Sequence, residues 1–89
     1  MSSYMVGYDL NKPGQDYTEL HDAIKAYDNW WHYLDSTWII VTEDSAATVR
    51  DNLKAHIDSG DELLVAKLSG EAAWTGFVEK GSTWLKNNL

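Results

Sequence analysis

The chain has 89 residues and a net charge of −7, from 7 basic and 14 acidic side chains. A single arginine, Arg50, and no cysteine exclude a broad phosphate-tracking surface, a disulfide framework and a thiolate metal site. The length suits one domain with a modest core, to which self-association would add buried surface.

Residues Tyr4 to Leu10 alternate as a strand, with Tyr4, Val6, Tyr8 and Leu10 against Met5, Gly7 and Asp9. The run Asn11-Lys12-Pro13-Gly14-Gln15 breaks it with strong turn chemistry. Asp16 and Glu19 then form a capping-box-like start for a helix. Tyr17, Leu20, Ile24 and Tyr27 share one face of that helix, and His21, Lys25 and Asp28 are expected to point outward.

Trp30 to Thr42 is the densest strand-favouring stretch, holding three of the five tryptophans. A turn at Asp35-Ser36 makes it a central hairpin. Glu43-Asp44-Ser45 supplies acids and a cap for a second helix, whose apolar stripe is Ala46, Val49, Leu53 and Ile57. Gly60 stops it, and Glu62 to Leu68 is the last strand.

The third and fourth strands are apolar on both faces, and two helices cover only one face of a sheet. Residues 69–89 are the expected cover for the other face, with Trp74 and Phe77 across the sheet and a final short helix capped by Ser82. A second subunit is the alternative cover. The chain thus reads as a ferredoxin-like domain over residues 1–68 and a C-terminal segment, 69–89, that packs on the sheet or swaps onto a partner.

The resulting fold class is α+β, a βαββαβ two-layer sandwich of the ferredoxin-like kind. Right-handed crossovers are expected to set strands one and three side by side and parallel, with strand two beside three and four beside one. Asp9, Asn11, Lys12, Trp30, Trp31, His32, Glu43, Asp61 and Glu62 are then expected on one edge with both helix N-termini, and Asp35 at the far end. Met1 to Asp9 lacks the basic and apolar regions of a signal peptide, and no apolar run reaches the length of a membrane span. A cytoplasmic location is the expectation.

Tyr8-Asp9-Leu10, closing the first strand of such a fold, resembles the CRISPR adaptation family called Cas-two, which carries a Tyr-Asp-aliphatic ending there and dimerises through its sheets. Nearly the whole chain is similar to a bacterial group of small Cas-two-like chains known as the SinR family. The similarity lies in Tyr8-Asp9-Leu10-Asn11-Lys12-Pro13, Trp30-Trp31-His32, Leu34-Asp35-Ser36-Thr37-Trp38 and Asp61-Glu62-Leu63-Leu64. This resemblance implies a homodimer that handles nucleic acid. In nuclease members, the aspartate matching Asp9 helps bind a divalent metal, one from each subunit. Carried over, Asp9 would hold Mg²⁺ and help position water against a phosphodiester. From the residues themselves, Glu43 or Glu62 can add the carboxylate oxygens a hard cation prefers, and His32 is expected near Asp9 as a candidate base, although a histidine hydrogen-bonded within its strand is the commoner outcome. The basic residues that follow this aspartate in many relatives are replaced here by Asn11, Lys12, Pro13, Gly14 and Gln15.

Plainer roles compete with each of these. Asp9 can simply hydrogen-bond its following loop, and Asp16, Glu19, Glu43 and Asp44 suit helix capping. His21 and His56 sit at isolated surface-helix positions, and no histidine pair has zinc spacing. The expectation favoured by charge is a non-catalytic site for a nucleotide or short single strand, built from Asn11, Lys12, Gln15, Trp30 and Trp31 beside helix N-termini. The rivals are a Mg²⁺-dependent nuclease using Asp9, and an adaptor or inhibitor that binds another protein through exposed tryptophans.

Overall fold

A computed structural model describes residues 1–11 and 17–89. The elements are β1 (Ser2–Asp9), α1 (Thr18–Lys25), β2 (Asn29–Trp31), β3 (Thr37–Thr42), α2 (Ala46–Lys54), β4 (Glu62–Lys67) and α3 (Glu79–Asn88). The four strands form one antiparallel sheet in the order β2-β3-β1-β4. None of the described helices is long and apolar enough to cross a membrane.

The alternation in β1 decides one face. Tyr4, Val6 and Tyr8 are buried with Trp38 and Ile40 of β3, and α1 and α2 lie over them through Leu20, Ile24, Val49 and Leu53. Ser45 caps α2, its hydroxyl accepting from the Thr48 amide at 3.1 Å. That bond satisfies one of the amides a helix start leaves open.

Residues of opposite parity build a second, smaller core. Trp31, Ile39 and Leu85 are buried there, with Leu68, Trp74, Phe77, Trp84 and Leu89 packed around them. Residues 69–89 therefore lie across the β2–β3 side of the second face. Polar bonds pin them: the Trp31 indole N–H donates to the Gly81 carbonyl at 3.2 Å, and the Trp84 indole to Asn29 Oδ1 at 2.8 Å. The Ser3 hydroxyl donates to the Asn88 carbonyl, and Asn29 Nδ2 to Asn88 Oδ1. The two cores take four of the five tryptophans, Trp38 in the larger and Trp31, Trp74 and Trp84 in the smaller.

Two expectations are corrected here. Strands β1 and β3 run antiparallel, Ser2 opposite Thr42 and Gly7 opposite Thr37. A crossover helix sets β1 parallel to β2, and the following hairpin reverses direction once more, so β3 must oppose β1. The last helix begins at Glu79 with Val78 at its N-cap; Ser82 lies inside it and accepts from the Trp74 indole at 3.2 Å. The capping role of Asp16 falls outside the described residues, and the N-cap position of α1 is Tyr17.

The reversed strand changes which loops meet. The end of β1, the end of β2, the start of β3 and the start of β4 share one edge of the sheet. The N-terminus of α1 follows β1 there, whereas α2 starts after β3 at the opposite edge. Asp35 belongs to the Asp9 edge and not the far one, since the Tyr8 amide donates to the Ser36 carbonyl at 3.1 Å.

Candidate functional site

Asp9, Asn11, Asp61 and Glu62 are brought together where β1 leaves the sheet. Asp9 stands directly opposite Glu62 in the β1–β4 register. Like charges so placed repel. Asp9 is exposed and its side chain makes no hydrogen bond or ion pair among the described residues, so a loop-bonding role for it is not seen there. The neighbouring loop is instead tied by Asp61. Its carboxylate accepts from the Asn11 amide at 2.8 Å, the Asp58 amide at 2.9 Å and the Tyr17 hydroxyl at 3.0 Å. The Asn11 side chain donates to the Gly60 carbonyl at 2.9 Å and, more weakly, to Glu62 Oε1 at 3.4 Å. Three carboxylates in this corner disfavour a phosphate.

Glu43 is elsewhere. It follows Thr42, which pairs with Ser2, and the eight-residue β1 separates Ser2 from Asp9 by about 23 Å. The expected trio of Asp9, Glu43 and Glu62 is therefore split, and among the described residues no group of three or more His, Cys, Asp or Glu is arranged to hold a metal ion. Lys12 and Gln15, expected as ligand contacts, lie outside the described residues.

The two adjacent tryptophans separate by parity. Trp31 is 2% exposed beneath α3 and offers no stacking face to a ligand. Trp30 projects to the helix-covered side, 38% exposed, with the Lys25 ammonium 5.6 Å from its ring centroid. Its other neighbour is Trp38, at 5.3 Å between centroids. His32 lies flat on Trp38, with centroids 3.7 Å apart and planes 9° from parallel. A strand places successive side chains on opposite faces, so Asp9 and this aromatic group, which includes Tyr8, face away from each other. The expected Asp9–His32 partnership does not form.

Sequence reasoning missed the polar centre of that aromatic group. The Trp38 indole N–H donates to the Tyr8 hydroxyl at 3.0 Å, and the Tyr8 hydroxyl donates to His21 Nε2 at 3.2 Å. This assignment gives all three groups a partner and makes His21 an acceptor at Nε2. His32 Nε2 donates to the Asp35 carbonyl at 3.1 Å. His21 is half-buried on the flank of the α1 stripe, one residue after Leu20, and is not the outward, isolated surface residue expected. Alternation puts Tyr8 with Tyr4 and Val6, and His21 borders the α1 stripe, but bringing Trp38 to them takes the strand register as well.

Burial pushes the Tyr8 phenol above its ordinary pKa, the Trp38 hydrogen bond pulls the other way, and the Asp35 charge adds to the rise. The phenol is thus held neutral, which suits a fixed hydrogen bond better than nucleophilic or base chemistry. A raised pKa means the folded state keeps a proton that the unfolded state gives up. Stability from this group is therefore full below about pH 10 and is lost as pH climbs through the folded-state value. Urea titrations between neutral and strongly alkaline pH should show this decline, and Tyr8→Phe should flatten it while costing stability at neutral pH. An unchanged alkaline slope in Tyr8→Phe would assign the decline to other groups.

Compared with known proteins, the chain matches no family model and has no significant match among solved structures.

Proposed function

We propose that the protein is a ferredoxin-like, Cas-two-like domain that binds a nucleotide or a short single-stranded nucleic acid at Trp30. The carrying observation is the exposed Trp30 indole with the Lys25 ammonium beside it. An indole face stacks on any base, and one ammonium suits one phosphate. Compared with the corner of Asp9, Asp61 and Glu62, this is the less repulsive place for an anion. With net charge −7, the affinity rests on stacking, so single strands are preferred over duplex. Titration with nucleotides and short oligonucleotides, followed by tryptophan fluorescence, tests the reading. Trp30→Ala should weaken binding about 5- to 150-fold, the loss of a stacked base being worth about 1–3 kcal/mol. Lys25→Gln should weaken it less and flatten its salt dependence. Unchanged binding in Trp30→Ala would move the site elsewhere.

The SinR resemblance and the homodimer belong to the same proposal. The part of the sheet's second face around Gly7 and Leu64 supports the dimer, since Leu64 is 58% exposed and a side chain added at Gly7 would meet nothing.

The Asp9–Glu62 pairing favours a second reading, a Mg²⁺-dependent nuclease. One chain offers two carboxylates, and a symmetric dimer around this edge would offer four, the oxygen donors a hard cation prefers. Bound there, the cation would supply activation of water against a phosphodiester. Mg²⁺-dependent cleavage of oligonucleotides abolished by Asp9→Asn would establish this reading. Binding without products, unaltered by Asp9→Asn, would exclude it.

A further inference from the structure

Between the second face of the sheet and residues 69–89 lies a cavity of about 300 Å³. Trp31 and Ile39 form its floor, and Leu68, Trp74, Phe77 and Leu85 its walls. Trp31 and Phe77 meet edge to face at 4.9 Å, which fixes two of the rings at right angles. Among the described residues the lining contains no charged side chain, and its hydroxyls belong to Thr37 and Thr75. The Trp74 indole N–H, bonded to Ser82, is already satisfied. The mouth is bordered by the exposed Leu34, Ala72 and Ala73.

We propose that this cavity is a binding site for a small, neutral, planar apolar molecule the size of a bicyclic aromatic ring. The volume sets the size: an apolar cavity of about 150 Å³ stays dry and takes one benzene ring. Roughly twice that space, flanked by the rings of Trp31, Trp74 and Phe77 and open at its mouth, suits two fused rings. The lining sets the chemistry. A carboxylate or phosphate placed here would be desolvated with no cation to meet it, whereas one hydroxyl or N–H could reach a threonine. The site is separate from Trp30, which lies on the other face of the sheet, and it excludes the nucleotide proposed there.

Indole is the probe, titrated into the full chain and followed by methyl NMR. Saturable shifts should concentrate on the methyls of Ile39, Leu68 and Leu85. Ala73→Phe and Met5→Phe, which fill the mouth and the floor, should each weaken indole at least tenfold. Trp30→Ala should leave its affinity unchanged. Indole-3-acetate, which adds a carboxylate, should bind at least tenfold more weakly. Absence of saturable shifts at these methyls in the wild-type protein would overturn the proposal, even if both filling variants failed to fold. So would equal affinity in folded filling variants, or equal affinity for the carboxylate.

Discussion

Trp38→Ala removes most of the stability of this protein. The side chain is 1% exposed in the larger core, beside Tyr8 of β1 and His21 of α1. Large-to-alanine changes at such aromatic sites cost about 3–5 kcal/mol, against a total of roughly 5–15 for a domain. Three further losses add to the cavity: the flat partner of His32, the tilted partner of Trp30, and the N–H that fixes the Tyr8 hydroxyl. Trp38→Phe separates packing from polarity, because it keeps a ring and deletes the donor. Its cost should be smaller, about 1–3 kcal/mol, comprising lost ring volume and a changed Tyr8 hydrogen bond. Urea denaturation of the two variants makes the comparison. If alanine cost no more than phenylalanine, the large core would not be organised around this indole.

Alternation makes it legible in the chain that Trp38 and Ile40 share one side of their strand, but both sides are apolar, so which one the helices cover is not. The same rule identified Tyr4, Val6 and Tyr8, and helical spacing identified Leu20, Ile24, Val49 and Leu53. Strand direction was less accessible: reading β1 and β3 as parallel counted the crossover and missed the reversal added by the hairpin. That one step carried Glu43 and the α2 N-terminus to the wrong edge. Asp9 with Glu62, and Asn11 with Asp61, followed from neighbouring strand ends and are together in the structure. Composition makes Trp30 and Trp31 equivalent, but adjacent strand residues face opposite ways, and of the two Trp30 keeps an exposed indole. The Tyr8–His21–Trp38 chain needed tertiary distance as well as parity. A half-buried histidine on the flank of a helix stripe resembles a solvated one until the sheet beneath it is placed.

Trp31→Ala acts on the other core and should have a different signature. Trp31 buries its ring with Ile39 and Leu85 and donates to the Gly81 carbonyl, so it joins the sheet to α3 by packing and by a hydrogen bond. The expected loss is again about 3–5 kcal/mol, concentrated on one segment. The core under α1 and α2 contains none of these contacts, so residues 69–89 should open as a unit before the rest unfolds. Hydrogen exchange on the α3 amides should accelerate by two orders of magnitude or more, each ~1.4 kcal/mol of local stability being a factor of ten in an equilibrium constant. The α2 amides should change much less. Asn29 and Ser3 would still hold Asn88 and Trp84, but a few exposed polar bonds of about 1 kcal/mol each do not replace a buried indole. Uniform acceleration across α2 and α3 would mean that the two cores unfold together, and that the C-terminal segment is part of the domain's single cooperative unit. Selective acceleration would make α3 a separately stabilised cover, whose opening also exposes the apolar cavity beneath it.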